Sequence, residues 1–268
     1  MTLPIDTTFD GHVHTRLCHH AVGEMEDYVR KAVDAGLAGF SFLEHMEVGI
    51  CYQPPSWLDD REFDFYFQEG ARLKERFRDI IEIQLGVELG LNAAALPEIR
   101  QRLRRYPIER IGLSCHFYPY EGRHLNLLTR RKESLDRLAL IGAEQVVTTY
   151  LDTLLHGAKA VEFDVLCHLD AVLRHLPGIH FTEQHQQQIS DLLDLLNAKN
   201  AALEINTSGF DYRGTAFPAP WIVGEALRRS IPLQAGSDAH HPDEVGRHFD
   251  RIADYLRTAK AAPPLSGA

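Results

Sequence analysis

Cysteine is scarce in this chain: Cys18, Cys51, Cys115 and Cys167 are its four, and none forms a Cys-x-x-Cys pair. That spacing excludes a disulfide framework and a thiolate zinc cluster, and it fits a reducing cytoplasm. Long apolar runs are missing too. Nowhere do about 18 apolar residues follow one another, so no membrane span is expected. Residues 1–6 carry no basic segment leading into an apolar run, so no secretion signal is expected either. Positive charge is in deficit, with 28 Lys and Arg against 38 Asp and Glu and a net charge of -10. This argues against a general nucleic-acid binder, which needs dense Lys and Arg to displace counterions from phosphates. Linkers and low-complexity stretches are absent, and only residues 259–268, with Pro263, Pro264 and Gly267, read as a loose tail. One α/β domain over residues 1–268 is therefore expected.

Histidine, by contrast, is abundant, with 15 residues. It is the commonest side-chain ligand for transition metals, so the positions of these residues decide whether the excess matters. Short β-rich runs alternate with longer amphipathic stretches, the pattern of repeated βα units around a parallel sheet. The strands are expected at 8–14, 38–45, 80–89, 110–117, 162–168, 201–206 and 232–237. Helices occupy the gaps. Over 24–35, Tyr28, Ala32 and Ala35 share a face and Gly36 provides a stop. Over 182–199, Ile189, Leu192, Leu193, Leu195 and Leu196 recur at helical spacing behind Thr182 as cap. A full capping box there calls for Glu or Gln where His185 stands.

Seven such units form either an open doubly wound sheet or a closed barrel. Ligands of an open sheet gather at one switch point, whereas a barrel collects them from the C-terminal ends of several strands. The chemistry-bearing residues follow the second pattern. The first strand ends with His12 and His14, whose two-residue spacing puts both on one face. Six residues beyond His14 comes His20. Later strands end with His45, Glu88, His116 and His168, and the last runs into Asp238 and His240, again two apart. A single such histidine is ordinarily a hydrogen-bonded structural group. Six of seven strand ends offering His, Asp or Glu is instead the ligand set of zinc, manganese or iron. His116 or His168 equally suits holding another ligand through its ring N–H. His19 competes with His20, and His241 adjoins His240. Asp10 shares the face of His12 and His14 and is placed to buttress them, whereas Glu44 should face the other side of its strand.

The segments Asp10-Gly11-His12-Val13-His14-Thr15, Glu44-His45, Gly86-Val87-Glu88, Cys115-His116-Phe117, His168-Leu169-Asp170, Leu203 to Gly209 and Gly236-Ser237-Asp238-Ala239-His240 carry a specific likeness. In order and spacing the chain resembles the PHP (polymerase and histidinol phosphatase) family, and within it the histidinol-phosphate phosphatases of histidine biosynthesis. The resemblance implies a distorted (β/α)7 barrel, TIM-barrel-like, holding three divalent transition-metal ions at the C-terminal ends of its strands. By analogy His12, His14, Glu88 and Asp238 surround one ion. Glu88 bridges to a second that also takes His116 and His168, and His20, His45 and His240 hold the third. Two positions depart from the family pattern: Arg16, where an acidic or neutral residue is usual, and His241, where Arg is common.

The implied chemistry is hydrolysis of a small phosphorylated substrate, L-histidinol phosphate. Clustered cations neutralise the anionic phosphate oxygens, and a bridging water of lowered pKa supplies hydroxide for in-line attack. Glu88, Asp238 and His240 are the expected catalytic residues, Asp238 or a neighbouring ligand histidine assisting proton transfer to the leaving alcohol. Arg213, Arg130 and Arg131 are candidate phosphate clamps, Arg213 foremost, and Asn206 a candidate substrate contact. Two other functions fit the same sequence: a phosphoesterase acting on nucleotides or short oligonucleotides, and a non-catalytic metal-binding domain. A closed structural site needs only about four ligands, so nine candidates favour an enzyme.

Overall fold

The computed structural model describes residues 4–175 and 180–265. Seven strands lie side by side, all parallel: β1 (Phe9–Val13), β2 (Gly39–Glu47), β3 (Glu82–Gly90), β4 (Arg110–Ser114), β7 (Val165–Leu166), β8 (Ala202–Asn206) and β9 (Leu233–Gly236). Just past β9 the chain meets β1 again. Val13 and Ala239 form a parallel bridge, and His14 N–H donates to the Ala239 carbonyl at 2.9 Å. The sheet thereby curls into a nearly closed barrel. A separate antiparallel hairpin, β5 (Phe117–Tyr120) and β6 (Arg123–Asn126), stands on the rim after β4.

The helices are α1 (Met25–Asp34), α2 (Asp60–Phe77), α3 (Leu96–Leu103), α4 (Lys132–Ile141), α5 (Ala143–Ala160), α6 (Glu183–Lys199), α7 (Gly209–Arg213), α8 (Pro220–Arg228) and α9 (Ile252–Ala261). Between the longer helices and the strands lies the main core, where Phe40, Phe42, Leu85, Leu113, Leu203 and Ile205 face Tyr28, Tyr66, Val147, Leu151 and Leu192. Inside the barrel sits a second, smaller cluster of Leu43, Val165, Cys167 and Ala202. The alternation of side chains along a strand explains the division. On β2, Leu43 points into the barrel, and His45 and Glu47 follow it at two-residue steps. On β8, Ala202 leads to Glu204 and Asn206. The apolar inner cluster is thus a plug, and the next residues of the same faces form a polar floor above it.

Several boundaries differ from the expected ones. The fourth strand stops at Ser114, and Cys115 and His116 form the corner before β5. The fifth shrinks to Val165–Leu166, because Asp164 turns its side chain to the Ile111 N–H and His168 adopts φ 25°. Helix α9 reaches Ala261 with Ala259 buried, so the expected loose tail begins later; Ser266–Ala268 lie outside the described residues. At α6 the expected shortfall in capping does not arise. His185 Nδ1 accepts from the Thr182 N–H at 3.2 Å, filling the role of Glu or Gln in a capping box.

Candidate metal centre

The C-terminal ends of the strands form the floor of a cleft of about 500 Å³. Glu88 occupies its centre. It is 1% exposed, and on β3 it stands level with His45 of β2. Oε1 lies 3.0 Å from His116 Nε2 and 2.7 Å from His168 Nε2. Oε2 lies 3.0 Å from His45 Nδ1 and 3.6 Å from Nε2 of both His12 and His14. The two oxygens therefore face two different groups of imidazoles, the disposition a bridging carboxylate requires.

The other candidates complete the ring. His12 Nε2 and His14 Nε2 face each other at 2.9 Å, with Asp238 Oδ1 3.4 Å from His14 Nε2. At the cleft wall, His20 Nε2 meets His240 Nε2 at 3.0 Å, and the His20 ring lies 5.0 Å from that of His45. His19 instead turns away to Glu62, at 2.7 Å, and exposed His241 accepts from the Asp243 N–H. All nine residues singled out as metal ligands thus come together, and the two close competitors do not join them.

Two of the nine hold backbone angles that side chains rarely adopt, His168 at φ 25° and Asp238 at φ 52°. Such strain persists only where surrounding contacts over-determine it, and it concentrates at functional sites. Asp10 supplies some of those contacts. Wholly buried, it accepts from the N–H groups of His12, Ser237 and Gly246, tying the end of β1 to the segment that carries Asp238 and His240. Behind the rings stand three more buried carboxylates. Glu47 accepts from His116 Nδ1 at 2.7 Å, Glu204 from His12 Nδ1 at 2.6 Å, and Glu44 holds the backbone N–H of Thr15 at 2.8 Å.

These donors fit a set of divalent cations. Nitrogens paired face to face across about 3 Å cannot both carry a proton, and their lone pairs converge together with carboxylate oxygens. Inside the same cluster, His45 Nε2, His168 Nδ1 and Glu88 Oε2 are buried without a hydrogen-bond partner among the described residues. Unsatisfied polar atoms of this kind are costly unless something else occupies the site. Charge points the same way. Burial alone would raise the Glu88 carboxyl, but His116, His45 and His12 outweigh it and hold it well below the usual range. Asp238 is likewise held low against burial, by His14, His12 and His240. Burial and the neighbouring rings of His45 and His240 push His14 well down. For His116, burial is outweighed by Glu88 and Glu47, and its pKa rises to about 10. Without metal, the cluster balances its carboxylates with protons.

Phosphate-sized chemistry needs cations on the walls as well, and here the structure departs from the candidates. Arg213 is engaged by Asp170 through two hydrogen bonds, 2.8 and 3.1 Å, and stacks on Phe217; it does not line the cleft. Arg130 lies over the Tyr212 ring and is also outside the lining. Asn206 is fully buried, donating to Glu204 at 3.2 Å and Asp238 at 3.3 Å, so it supports the floor. Arg131 does line the cleft, joined by Arg174 and Arg247. Arg174 Nη2 lies 3.6 Å from Asp238 Oδ2, while its Nε is buried and unpartnered among the described residues. Arg247 donates to the carbonyls of Ser237 and Asp238. Neither follows a recognisable motif; only their positions after the short fifth strand and after the last strand hint at the metal face.

Comparison with known proteins agrees with this architecture. A "Probable histidinol-phosphatase" of Deinococcus radiodurans is 29% identical over 263 residues, covering 92% of each chain. The histidinol-phosphatase of Bacillus subtilis is 24% identical, covering 91% of this chain and 98% of its own. The crystal structure of histidinol phosphate phosphatase from Lactococcus lactis, complexed with zinc, L-histidinol and phosphate, superposes with a TM-score of 0.72 at 22% identity, covering 94% and 93% of the two chains. That last likeness bears on the fold. Residues 10–208 match the PHP domain and residues 224–261 the PHP-associated family. The first match takes in every strand of the barrel but β9 and seven of the nine clustered residues, all but Asp238 and His240, and on it the chain belongs to the PHP family.

Proposed function

We propose that the chain is a metal-dependent phosphomonoesterase that hydrolyses L-histidinol phosphate to L-histidinol and phosphate. The observation that carries this reading is the convergence of nine His, Glu and Asp side chains on a cleft whose walls bear three arginines. The whole chain is read as one catalytic unit. Three divalent ions, drawn from zinc, manganese and iron, suit the site. His12, His14 and Asp238 would hold one, His116 and His168 a second with Glu88 between the two, and His20, His45 and His240 the third. When bound, such ions neutralise phosphoryl oxygens and acidify water.

The chain's own residues supply the rest. Arg174 lines the cleft and offers its guanidinium to a phosphate oxygen, and Arg131 and Arg247 add positive charge to the same wall. Asp238 is a carboxylate at neutral pH and lies at the cleft floor, so it takes up the proton released by the attacking water. It then returns that proton to the oxygen of the leaving alcohol. Asn206 keeps the carboxylate oriented by donating to Oδ2. Glu47 and Glu204 fix the rings of His116 and His12, leaving the opposite nitrogens directed into the cluster.

The test is phosphate release by the metal-loaded protein from L-histidinol phosphate, set beside nucleoside monophosphates, a short oligonucleotide and p-nitrophenyl phosphate. A kcat/KM for L-histidinol phosphate well above the others supports the assignment. Preference for a nucleotide would move the chain to another branch of the family, and inactivity on all four would contradict phosphomonoester hydrolysis.

A further inference from the structure

Glu204 was not among the residues expected to act, yet its carboxylate ties His12, His168 and Asn206 together. It lies on β8, fully buried, with no Lys or Arg within ion-pair distance among the described residues. A carboxylate in such surroundings is costly unless its oxygens are hydrogen-bonded, so packing alone would favour a neutral side chain. Its oxygens are saturated by donors from three strand ends. Oε1 faces His12 Nδ1 at 2.6 Å. Oε2 accepts from the backbone N–H of His168 at 2.8 Å and from Asn206 Nδ2 at 3.2 Å, and Asn206 in turn donates to Asp238. Gly236 gives it room: a Cβ there would collide with Oε1.

We propose that Glu204 is a positioning residue that sets the tautomer of His12 and the placement of His168 at once, holding two parts of the metal centre in register. The inference rests on the metal-dependent reading above. Its chemistry is one of donor count. With Glu204 accepting at Oε1, His12 carries its ring proton on Nδ1 and turns the Nε2 lone pair into the cluster. Oε2 meanwhile anchors the left-handed backbone of His168, whose ring faces Glu88. Every partner of Glu204 is a donor, so glutamine, though equal in shape, cannot replace it. If its amide N–H2 faces His12, the ring must move its proton to Nε2 and cease to be a ligand; if it faces His168, two N–H groups oppose each other.

The experiment is zinc titration of the metal-free full chain, comparing wild type, Glu204→Gln and Gly236→Ala, with circular dichroism to verify folding. Nitrogen NMR of the histidine rings in the zinc-loaded wild type accompanies it. The expected result is a loss of zinc affinity by about 10- to 100-fold in both variants, with His12 protonated at Nδ1 in the wild type. Gly236→Ala retains the carboxylate but displaces it and also crowds the His12 Cβ, so the His12 ring-proton position in the wild type decides the matter even if Glu204→Gln fails to fold. Zinc binding as tight as wild type in a folded variant, or an Nε2 proton on His12 in the loaded wild type, would overturn the role of Glu204 alone. A wild type that binds no zinc, manganese or iron would overturn the metal reading and this inference with it.

Discussion

At Glu88 both carboxylate oxygens are committed, one to His116 and His168 and the other to His45, His12 and His14. Glu88→Gln removes the negative charge on which these imidazoles converge. Because a metal's polarisation of a phosphoryl group is worth several kcal/mol, kcat should fall by about 10³-fold or more, and metal per chain should fall with it in elemental analysis. Arg174→Ala should act differently. It removes a charge-assisted hydrogen bond of about 1.5–3 kcal/mol, so steady-state kinetics should show kcat/KM reduced by roughly 10- to 150-fold at unchanged metal content. These two residues differ as much in legibility as in role. Glu88, His12 and His14 stand in or just beyond extended strands, where the two-residue side-chain period fixes which face each presents. Arg174 follows a two-residue strand and a single 3₁₀ turn, a geometry with no period to read. Arg213 has the stronger claim from sequence, but Asp170, buried opposite, claims its guanidinium.

Strands that run long in sequence are cut short where polar groups find local partners. Residues 110–117 read as one β run because Ile111, Leu113, Cys115 and Phe117 alternate. Yet His116 must leave the sheet for its Nδ1 to meet Glu47 and its Nε2 to meet Glu88. The order of βα units and the barrel were legible because each unit repeats the same apolar alternation. The β5–β6 hairpin was not, since its two strands are short and each buries a single apolar residue, Phe117 and Leu125. Helix α6 shows a finer case. His185 reads as a solvated helix-start residue, but it is 1% exposed, caps Thr182 and meets Thr148 Oγ1 at 2.9 Å. His185→Ala should therefore destabilise the fold by about 1–3 kcal/mol, seen as a lower urea midpoint, while kcat on the phosphate ester stays at the wild-type value.

For the molecule as a whole, metal and protons compete for one buried charge site. In the metal-free protein His116 has a pKa of about 10, and His12 is likewise raised, Glu204 and Glu88 outweighing burial. Both shifts favour the protonated rings in the absence of metal, and a cation takes their lone pairs by displacing protons. Metal affinity should thus strengthen as pH rises and weaken as it falls. Calorimetric titration with zinc at pH 7, in two buffers of different ionisation enthalpy, should report net proton release; uptake or no exchange would contradict the protonation assigned to these rings. The central claim concerns the nine clustered residues and what they hold. It is tested most directly by measuring bound metal and phosphate release from L-histidinol phosphate on one preparation as isolated, after chelation and after reconstitution. The expected result is activity that disappears with the metal and returns in proportion to the ions restored. Undiminished hydrolysis by protein stripped of metal would contradict it.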